Sequence, residues 1–482
     1  MKPLWPGLAA LAVATGAGEP ASAPGPDAGW FLITARDGQV MGHASQETRP
    51  LAGGSEIAAE QDFFLTEQDS PAAHIRARSV RRLDASGNTL WIETTTVVGG
   101  SVTRTVARNR TGWIEVVRQT PMERRVSILP LSSSVRFDDG EALLAAWDPL
   151  GGAPLTYERF DADSASVERV VIEAAPGAKP DADGHIAVLR RRYEGDQLLG
   201  VARLTLDRER RVIRTEQPMF GSVISIAAAD RKAALAYHAP YRLIASTMTR
   251  SPFRISNPAT RGHIRYRFAF RDGLAFDLPV TGEQRVGSEA GKSFVDICGD
   301  CGPGLPTDKA SLAEATKATA WMQSDHPRLK ALAAPIARLK VSDTRKMQML
   351  IEVARPYLER IDFNSHFSAL ETLQRRAGDC TEAAVLLGAL GRAAGIPTKV
   401  ANGVVYSREA YHGVANAFLP HSWTLAYVDG RWRSFDLALD SFDSTHIALT
   451  VGDGDARSVS AAGQLASLLV WQDMAEVRTR AS

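Results

Sequence analysis

The chain runs Gly378-Asp379-Cys380-Thr381-Glu382 into an almost wholly apolar stretch that stops at Gly395-Ile396-Pro397. Asp379 and Glu382 have capping-box spacing, which predicts that a helix begins at Cys380. Apolar residues then fall on every face of this helix, so it must be enclosed by protein, and Gly395 marks its end. A thiol on the first turn lies at the positive end of the helix dipole, which favours the nucleophilic thiolate. Cys380 is therefore the candidate nucleophile.

A nucleophilic cysteine needs a base and a residue that orients the base. Residues 421–436 form two β-rich runs joined by Asp429-Gly430, the strongest short hairpin signal. If those two residues are the loop, Trp423 faces Asp436, and alternation places His421 and Asp436 on the same face of the sheet. His421 and Asp436 are then diagonal neighbours. The register predicts His421 as the base and Asp436 as the residue that orients it.

Each of these residues also has a simpler structural interpretation. A lone buried cysteine on an apolar helix is usually a small core residue, but the helix start, His421 and Asp436 together favour catalysis for Cys380. His412 is the rival base; it lies in a Gly-containing loop without strand alternation, so we predict it only as a substrate-binding residue. Trp423 is a core residue by default and could also form a wall of the acyl site.

Residues around the candidate triad fall into spaced blocks. These are Arg376-x-Gly378-Asp379-Cys380-Thr381-Glu382-Ala383, Arg392-Ala393-x-Gly395-Ile396-Pro397, Gly403-x-x-Tyr406, His421-Ser422-Trp423, Trp432 and Asp436. Together they resemble the signature of the transglutaminase-like (papain-related) superfamily, in particular its bacterial branch, over residues 310–452. The combination is much more specific than any single motif.

The resemblance implies roles for individual residues. Cys380 would be the nucleophile, His421 the general base and Asp436 the orienting residue. Lys399 stands where an arginine is more usual, at a position that we expect to support the fold more than the chemistry. The superfamily includes cross-linking acyl transferases, peptidases, amidases and members that have lost catalysis, so the direction of the reaction stays open.

Length, charge and the N-terminal residues are typical of an exported enzyme with an accessory region. The 482 residues exceed a usual single core, and the net charge of +1 with interspersed signs does not indicate binding to nucleic acid or to an anionic membrane. Residues 1–23 resemble a signal peptide, with a short apolar run followed by small residues. No segment reaches the ~18 consecutive apolar residues of a transmembrane helix. We expect a periplasmic or secreted bacterial protein.

Cysteine usage supports export. The chain has three cysteines, two of them close together in Cys298-Gly299-Asp300-Cys301. In an oxidising compartment this pair can form a disulfide and leave Cys380 as a reactive thiol. The rival interpretation of the pair, half of a zinc site, needs further ligands, and the sequence has no second close Cys or His pair. We predict a disulfide between Cys298 and Cys301, no metal and no cofactor.

The expected fold class is α+β, with a C-terminal papain-like core of helices packed on an antiparallel sheet and a large β-rich region before it. Alternating runs such as 80–93 and 202–215, each broken by turn residues, indicate the strands. The expected segments are a signal peptide at 1–23, a β-rich module at 24–150, a second at 151–290, a Gly/Pro-rich linker at 291–309, a catalytic domain at 310–455 and a tail helix at 456–482.

The sequence supports two hypotheses about function. The first is a cysteine enzyme that acts on amide bonds of a protein or peptide, by hydrolysis or by acyl transfer to an amine through a thioester. The second is a catalytically silent envelope scaffold that binds a partner through the β-rich region. The complete set of Cys380, His421 and Asp436 favours the first hypothesis.

Overall fold

The computed structural model describes residues 29–477 apart from 68–69, 99–100, 139, 163, 220–221, 243–247, 272–273, 275, 290–291, 362–365 and 410–413. The predicted signal peptide and His412 lie outside the described residues. The chain forms two compact units that divide after residue 243, here called the N-terminal and the C-terminal unit. Strands predominate over helices. Among the described residues, no helix combines the length and the hydropathy needed to cross a membrane.

The N-terminal unit is built from one large sheet. Its elements are β1 (Trp30–Thr34), β2 (Val40–Leu51), β3 (Gly54–Glu67), β4 (Ser70–Asp84), β5 (Thr89–Val98), β6 (Ser101–Arg110), β7 (Trp113–Gln119), β8 (Arg124–Pro130), α1 (Glu141–Ala146), β9 (Leu155–Asp161), β10 (Ser166–Ala174), β11 (Ile186–Glu194), β12 (Gln197–Leu206), β13 (Val212–Met219), β14 (Ser222–Ala229), α2 (Arg231–Ala234) and β15 (Tyr241–Arg242). The strand order is β8 to β1 followed by β14 to β9, and β15 pairs with β3.

This topology corrects the expected division into two β-rich modules at residue 150. Strand β1 pairs with β2 on one side and with β14 on the other, with Trp30 opposite both Ser45 and Ala229. The residues after 150 therefore continue the same sheet instead of starting a new one. The β-rich unit also ends near residue 243 and not at 290, because the later strands belong to the C-terminal unit.

The C-terminal unit mixes helices with two smaller sheets. Its elements are β16 (Thr249–Arg250), α3 (Asn257–Thr260), β17 (Ile264–Phe270), β18 (Gln284–Glu289), β19 (Lys292–Ile297), α4 (Lys309–Glu314), α5 (Pro327–Ala337), α6 (Asp343–Ala354), a 3₁₀ turn (Arg355–Tyr357), α7 (Ala369–Arg375), α8 (Cys380–Ala393), β20 (Thr398–Ser407), β21 (Ala417–Val428), β22 (Arg431–Phe435), β23 (Ile447–Gly452), α9 (Ala456–Leu468) and β24 (Leu469–Glu476). One sheet has the order β16-β21-β20-β23 with β22 also on β21, and the other has the order β18-β19-β17-β24.

Helix α8 begins and ends where its sequence predicts. The Asp379 side chain accepts from the Thr381 N–H at 2.8 Å, and Glu382 accepts from the Asp379 N–H at 2.9 Å, which completes the capping box. Nearly all residues of α8 are buried. Gly395 follows the helix with a φ of +85°, a left-handed conformation that favours glycine. The helix packs against β20 and β21 and against α5, α6 and α7.

The hairpin of β21 and β22 has the register expected from its turn. Asp429 and Gly430 have φ values of +50° and +87°, as a two-residue turn of the I′ type requires. Val428 pairs with Arg431, and Thr424 pairs with Phe435. The Asp429 carboxylate also accepts from the backbone N–H groups of Asp343 and Thr344 at 3.2 and 3.3 Å, so the turn contacts the N-terminus of α6.

Two segments differ from the sequence-based expectation. The expected linker at 291–309 contains a strand, β19, which pairs with β17 and β18. The expected tail helix ends at Leu468, and the chain continues as β24, which pairs with β17. The physical reason for the second difference is the environment of Trp471, whose ring stacks on Phe418 at 4.3 Å and contacts Phe268 edge to face. Pairing with β17 provides partners for the backbone of β24 while it partly buries this ring.

Candidate active site

Cys380 occupies the first position of α8 and is buried. It takes no part in the disulfide of the structure, which joins Cys298 and Cys301. The capping box holds the backbone immediately around Cys380. The thiol therefore lies at a fixed helix N-terminus, where the dipole favours negative charge on sulfur.

His421 and Asp436 are in direct contact. The distance between His421 Nε2 and Asp436 Oδ2 is 2.7 Å, and both side chains are almost fully buried. Burial alone would raise the pKa of Asp436, but His421 and a second neighbouring histidine, His446, hold that pKa far below its ordinary value. The carboxylate can only accept, so His421 donates from Nε2. The other ring nitrogen, Nδ1, is then the one that can take up a proton.

The Asp436 carboxylate is oriented from both of its oxygens. Oδ1 accepts from the backbone N–H groups of Ala438 and Leu439 at 2.8 and 3.1 Å. Oδ2 is thereby directed towards His421. Asp436 follows directly after β22, one residue beyond Phe435, whose partner on β21 is Thr424.

Hydrogen bonds join the cysteine helix to the histidine strand at two positions just after His421. The Thr381 hydroxyl donates to Ser422 Oγ at 3.1 Å, and the Thr424 hydroxyl donates to the Ala384 carbonyl at 3.0 Å. Ser422 Oγ in turn donates to Asn402 Oδ1 on β20 at 2.8 Å. The first turn of α8 is therefore attached to the section of β21 that carries His421.

Trp423 is 2% exposed and belongs to the core cluster of this unit. Its indole N–H donates to Ser434 Oγ at 3.2 Å, and its ring stacks at 6.1 Å from the His421 ring. Ser434 donates to the Glu283 carboxylate from both its N–H and its hydroxyl, and burial raises the pKa of Glu283. These contacts favour a packing role for Trp423 behind His421, and its role in binding substrate stays a prediction. The same holds for His412.

One residue of this site, His446, was missed by the sequence-based reasoning. His446 Nε2 lies 3.0 Å from Asp436 Oδ2, the same oxygen that His421 contacts. His446 directly precedes β23, on a segment that has no periodic pattern before it. The available signal was the local sequence Asp443-Ser444-Thr445-His446, since an aspartate followed by Ser and Thr is typical of a turn that fixes the next side chains.

Two groups of side chains among the described residues have the composition of a metal site. His421, Asp436 and His446 place their ligand atoms within 4.8 Å of one another, as do Asp181, Asp183 and His185. In the first group the 2.7 and 3.0 Å contacts are ordinary N–H to carboxylate distances, so we interpret it as a hydrogen-bonded cluster. In the second group Asp181 caps a turn by accepting from the N–H groups of Asp183 and His185.

Residues 330–437 match the family model of the transglutaminase-like superfamily. The C-terminal unit carries a transglutaminase-like domain. The matched residues include Cys380, His421 and Asp436, whereas His446 lies beyond them. No curated protein matches this chain.

Several solved structures are similar to parts of the chain. A candidate cysteine protease from Cytophaga hutchinsonii is 17% identical with a TM-score of 0.27, over 46% of this chain and 88% of that one. The periplasmic domain of TgpA from Pseudomonas aeruginosa, bound to ethylmercury, is 12% identical with a TM-score of 0.25, over 61% and 86%. A β-barrel-like protein of unknown function from Brucella abortus is 14% identical with a TM-score of 0.33, over 42% and 96%. At these scores the likenesses carry no argument about function.

Proposed function

We propose that this protein is an exported cysteine enzyme that acts on amide bonds through Cys380, His421 and Asp436. The observation that carries the proposal is the 2.7 Å contact between His421 Nε2 and Asp436 Oδ2, on a strand that is hydrogen-bonded to the first turn of the Cys380 helix. A buried histidine, held by a carboxylate and next to a helix that begins with a cysteine, is the arrangement that nucleophilic catalysis by a thiol requires.

The proposed reaction begins with transfer of the Cys380 thiol proton to His421 Nδ1. The thiolate then forms a bond to the carbonyl carbon of the substrate, and backbone N–H groups at the start of α8 stabilise the negative oxygen. Protonated His421 gives its proton to the nitrogen of the leaving amine as the C–N bond breaks. Asp436 keeps the imidazole in the required tautomer and stabilises its positive form.

The acyl group is then bound to Cys380 as a thioester. Water resolves the thioester in a peptidase or amidase, with His421 taking the proton of the water, and a second amine resolves it in an acyl transferase. We favour hydrolysis of a protein or peptide substrate outside the cytoplasm, in line with the signal-like residues 1–23 and the disulfide of Cys298 and Cys301.

The test uses the full-length protein and its Cys380→Ala variant with a panel of peptide p-nitroanilides and glutamine-containing peptides. Intact-mass spectrometry should show an acyl adduct in the parent protein and none in the variant. In water alone the adduct should decay to the free acid, and added hydroxylamine should divert part of it to a hydroxamate. Decay only when an amine is present would favour acyl transfer over hydrolysis.

A negative result must be separated from a poor choice of substrates. The control is the reaction of Cys380 with iodoacetamide, which needs no substrate. A thiol that reacts no faster than a free cysteine, together with the absence of any adduct, would contradict the enzymatic proposal and favour a catalytically silent scaffold.

A further inference from the structure

Asp436 Oδ2 is shared by two histidines. His421 Nε2 lies 2.7 Å from this oxygen and His446 Nε2 lies 3.0 Å from it. A carboxylate only accepts hydrogen bonds, so each ring must donate from its Nε2. The two rings are edge to face, with centroids 5.4 Å apart. A change in the charge of one histidine is therefore felt by the other at short range.

A second carboxylate faces the opposite side of the His446 ring. His446 Nδ1 lies 3.0 Å from Asp443 Oδ1 and 3.1 Å from the Asp443 carbonyl oxygen. Burial alone would lower the pKa of His446, but the hydrogen bonds with Asp436 and Asp443 raise it above its ordinary value. The pKa of Asp443 is lowered in turn, against its burial, by the contact with His446. Because Nδ1 faces two acceptor oxygens of Asp443 and Nε2 faces the Asp436 carboxylate, the contacts favour a His446 cation between two carboxylates over a neutral ring that would accept from the Asp443 N–H at 3.2 Å.

The segment that carries His446 is fixed from outside the candidate triad. The Thr445 N–H and hydroxyl donate to Asp443 Oδ1 at 2.9 and 2.6 Å. The Ser444 N–H donates to the Thr260 carbonyl at 2.8 Å, and the Tyr266 hydroxyl donates to the Ser444 carbonyl at 2.9 Å. The position of His446 is thus set by α3 and β17, independently of His421.

Few other ionisable groups face His446. Trp423 and Phe442 enclose its ring at centroid distances of 5.2 and 4.9 Å and carry no charge. Burial raises the pKa of Tyr266 well above its ordinary value, so this phenol stays neutral over the working range. Asp436, Asp443 and His421 are therefore the charged or titratable groups that His446 meets among its described contacts, with Cys380 on the adjoining helix α8.

We propose that His446 is a positioning residue that holds the Asp436 carboxylate and, as a cation, offsets part of the negative charge that His421 meets at Asp436 Oδ2. A carboxylate favours the charged form of a neighbouring imidazole, and a second positive charge at the same oxygen opposes this effect. His421 can then both take up and give back a proton, as a base in this reaction must. The catalytic consequence rests on the proposed function, but the effect on His421 does not.

The test is a pH titration of the histidine side chains by ¹⁵N NMR in full-length protein that carries Cys380→Ser. Each imidazole signal is assigned by its loss in His421→Gln or His446→Gln. Glutamine at 446 can still donate an N–H to Asp436 but carries no charge. We expect His446→Gln to move the titration midpoint of His421 upwards by on the order of one pH unit, since two charges at this separation in a buried site interact at least this strongly.

The matched control is His263→Gln. His263 also lies against a buried carboxylate of this unit, with its Nε2 3.3 Å from Asp296 Oδ1, but it does not touch the triad. We expect this variant to leave the midpoint of His421 unchanged. A midpoint that stays in place or falls in His446→Gln would overturn the proposal.

A second measurement needs no substitution at His446. In the Cys380→Ser protein the titration midpoint of His446 itself should lie above that of an ordinary histidine, and a midpoint below the ordinary value would also overturn the proposal. In the active protein, His446→Gln should shift the alkaline limb of the pH profile for Cys380 alkylation to higher pH. If Cys380 proves inert while His421 still shifts, the proposed function fails and the inference about His446 stands.

Discussion

The chemistry proposed for Cys380 depends on which nitrogen of His421 carries the proton. Asp436 accepts from Nε2, so a neutral His421 presents Nδ1 as its basic nitrogen. A histidine with the opposite tautomer could not accept the thiol proton through that atom. A single oxygen, Asp436 Oδ2, fixes this tautomer. It is itself oriented, because the backbone N–H groups of Ala438 and Leu439 bind the other carboxylate oxygen, Oδ1.

The reactivity of Cys380 gives a direct prediction at this scale. Both the helix N-terminus and a neighbouring imidazole favour the thiolate, so iodoacetamide should alkylate Cys380 at pH 6 at least about 10-fold faster than a free cysteine with a pKa of about 8.5. His421→Ala should remove most of this advantage, whereas His263→Ala should not. The measurement is the rate of carbamidomethylation by mass spectrometry without reductant, so that the disulfide does not contribute thiols. Equal rates in the parent and in His421→Ala would mean that this histidine is not the partner of Cys380.

The sequence contained enough information to place His421 against Asp436, but not to place His446. The Asp429-Gly430 turn fixes the register of β21 and β22, and the two-residue period then determines which side chains share a face. After Asp436 the chain leaves the strand for ten residues of irregular structure before β23. No period extends across such a segment, so the contact of His446 with Asp436 depends on tertiary hydrogen bonds to Thr260 and Tyr266 that no local pattern encodes.

At the scale of elements, Arg392 connects the C-terminal end of α8 to the surrounding structure. Its side chain is fully buried and donates to the carbonyl groups of Lys317 and Thr398 and to the Asp453 carboxylate at 2.7 Å. Lys399 contacts the same Asp453 oxygen at 3.0 Å. The lysine thus takes part in an ion pair remote from Cys380, in agreement with a role in the fold. The pKa of Asp453 is lowered, against its burial, by these two cations.

Replacement of Arg392 by methionine should destabilise the C-terminal unit. The substitution keeps most of the apolar stem. It removes the guanidinium donors from the carbonyl groups of the buried Thr398 and of Lys317 and from the Asp453 carboxylate, which should cost about 3 kcal/mol. Urea unfolding followed by tryptophan fluorescence measures the change. The matched control is Arg355→Met, because Arg355 is 46% exposed and pairs with the exposed Asp440. That variant should change the unfolding free energy by less than about 1 kcal/mol. Similar losses in both variants would contradict the role given to Arg392.

At the scale of the whole molecule, local patterns identified strands but not the sheet they form. The hairpins β4–β5 and β12–β13 look like repeats because Asp84 and Asp207 cap their turns in the same way. Asp84 Oδ1 accepts from the Asn88 N–H, and Asp207 Oδ1 accepts from the Arg211 N–H, each at 2.8 Å. This is common hairpin chemistry and carries no information about domain boundaries. The decisive pairing, β1 with β14, joins residues about 200 positions apart, and such non-local contacts leave no periodic signal in the sequence.

The sheet that includes β24 gives the C-terminal unit a predictable dependence on pH. Asp296 on β19 is fully buried; burial opposes its charge, but Arg265, Arg285 and His263 lower its pKa from 3.8 to about 2. A carboxyl group whose pKa is lower in the folded state than in the unfolded state stabilises the fold at pH values above its unfolded-state pKa. This stabilisation is lost as the pH falls through the folded-state pKa. The relevant window is therefore from about pH 4 down to about pH 2.

We expect Asp296→Asn to lower the unfolding free energy at pH 7 by about 2 kcal/mol, which is the order given by a shift of this size. The difference between variant and parent should shrink as the pH falls from about 4 towards 2, because the parent loses its charge there and the variant has none to lose. Urea titrations at several pH values, followed through the fluorescence of tryptophans such as Trp471 on β24, measure this difference. Asp300→Asn serves as control, since Asp300 pairs with Arg431 at the surface with 70% of its side chain exposed, and it should have little effect at any pH. A difference that stays constant from pH 7 to pH 2 would show that the charge of Asp296 does not stabilise the sheet and that the loss arises from the altered packing alone.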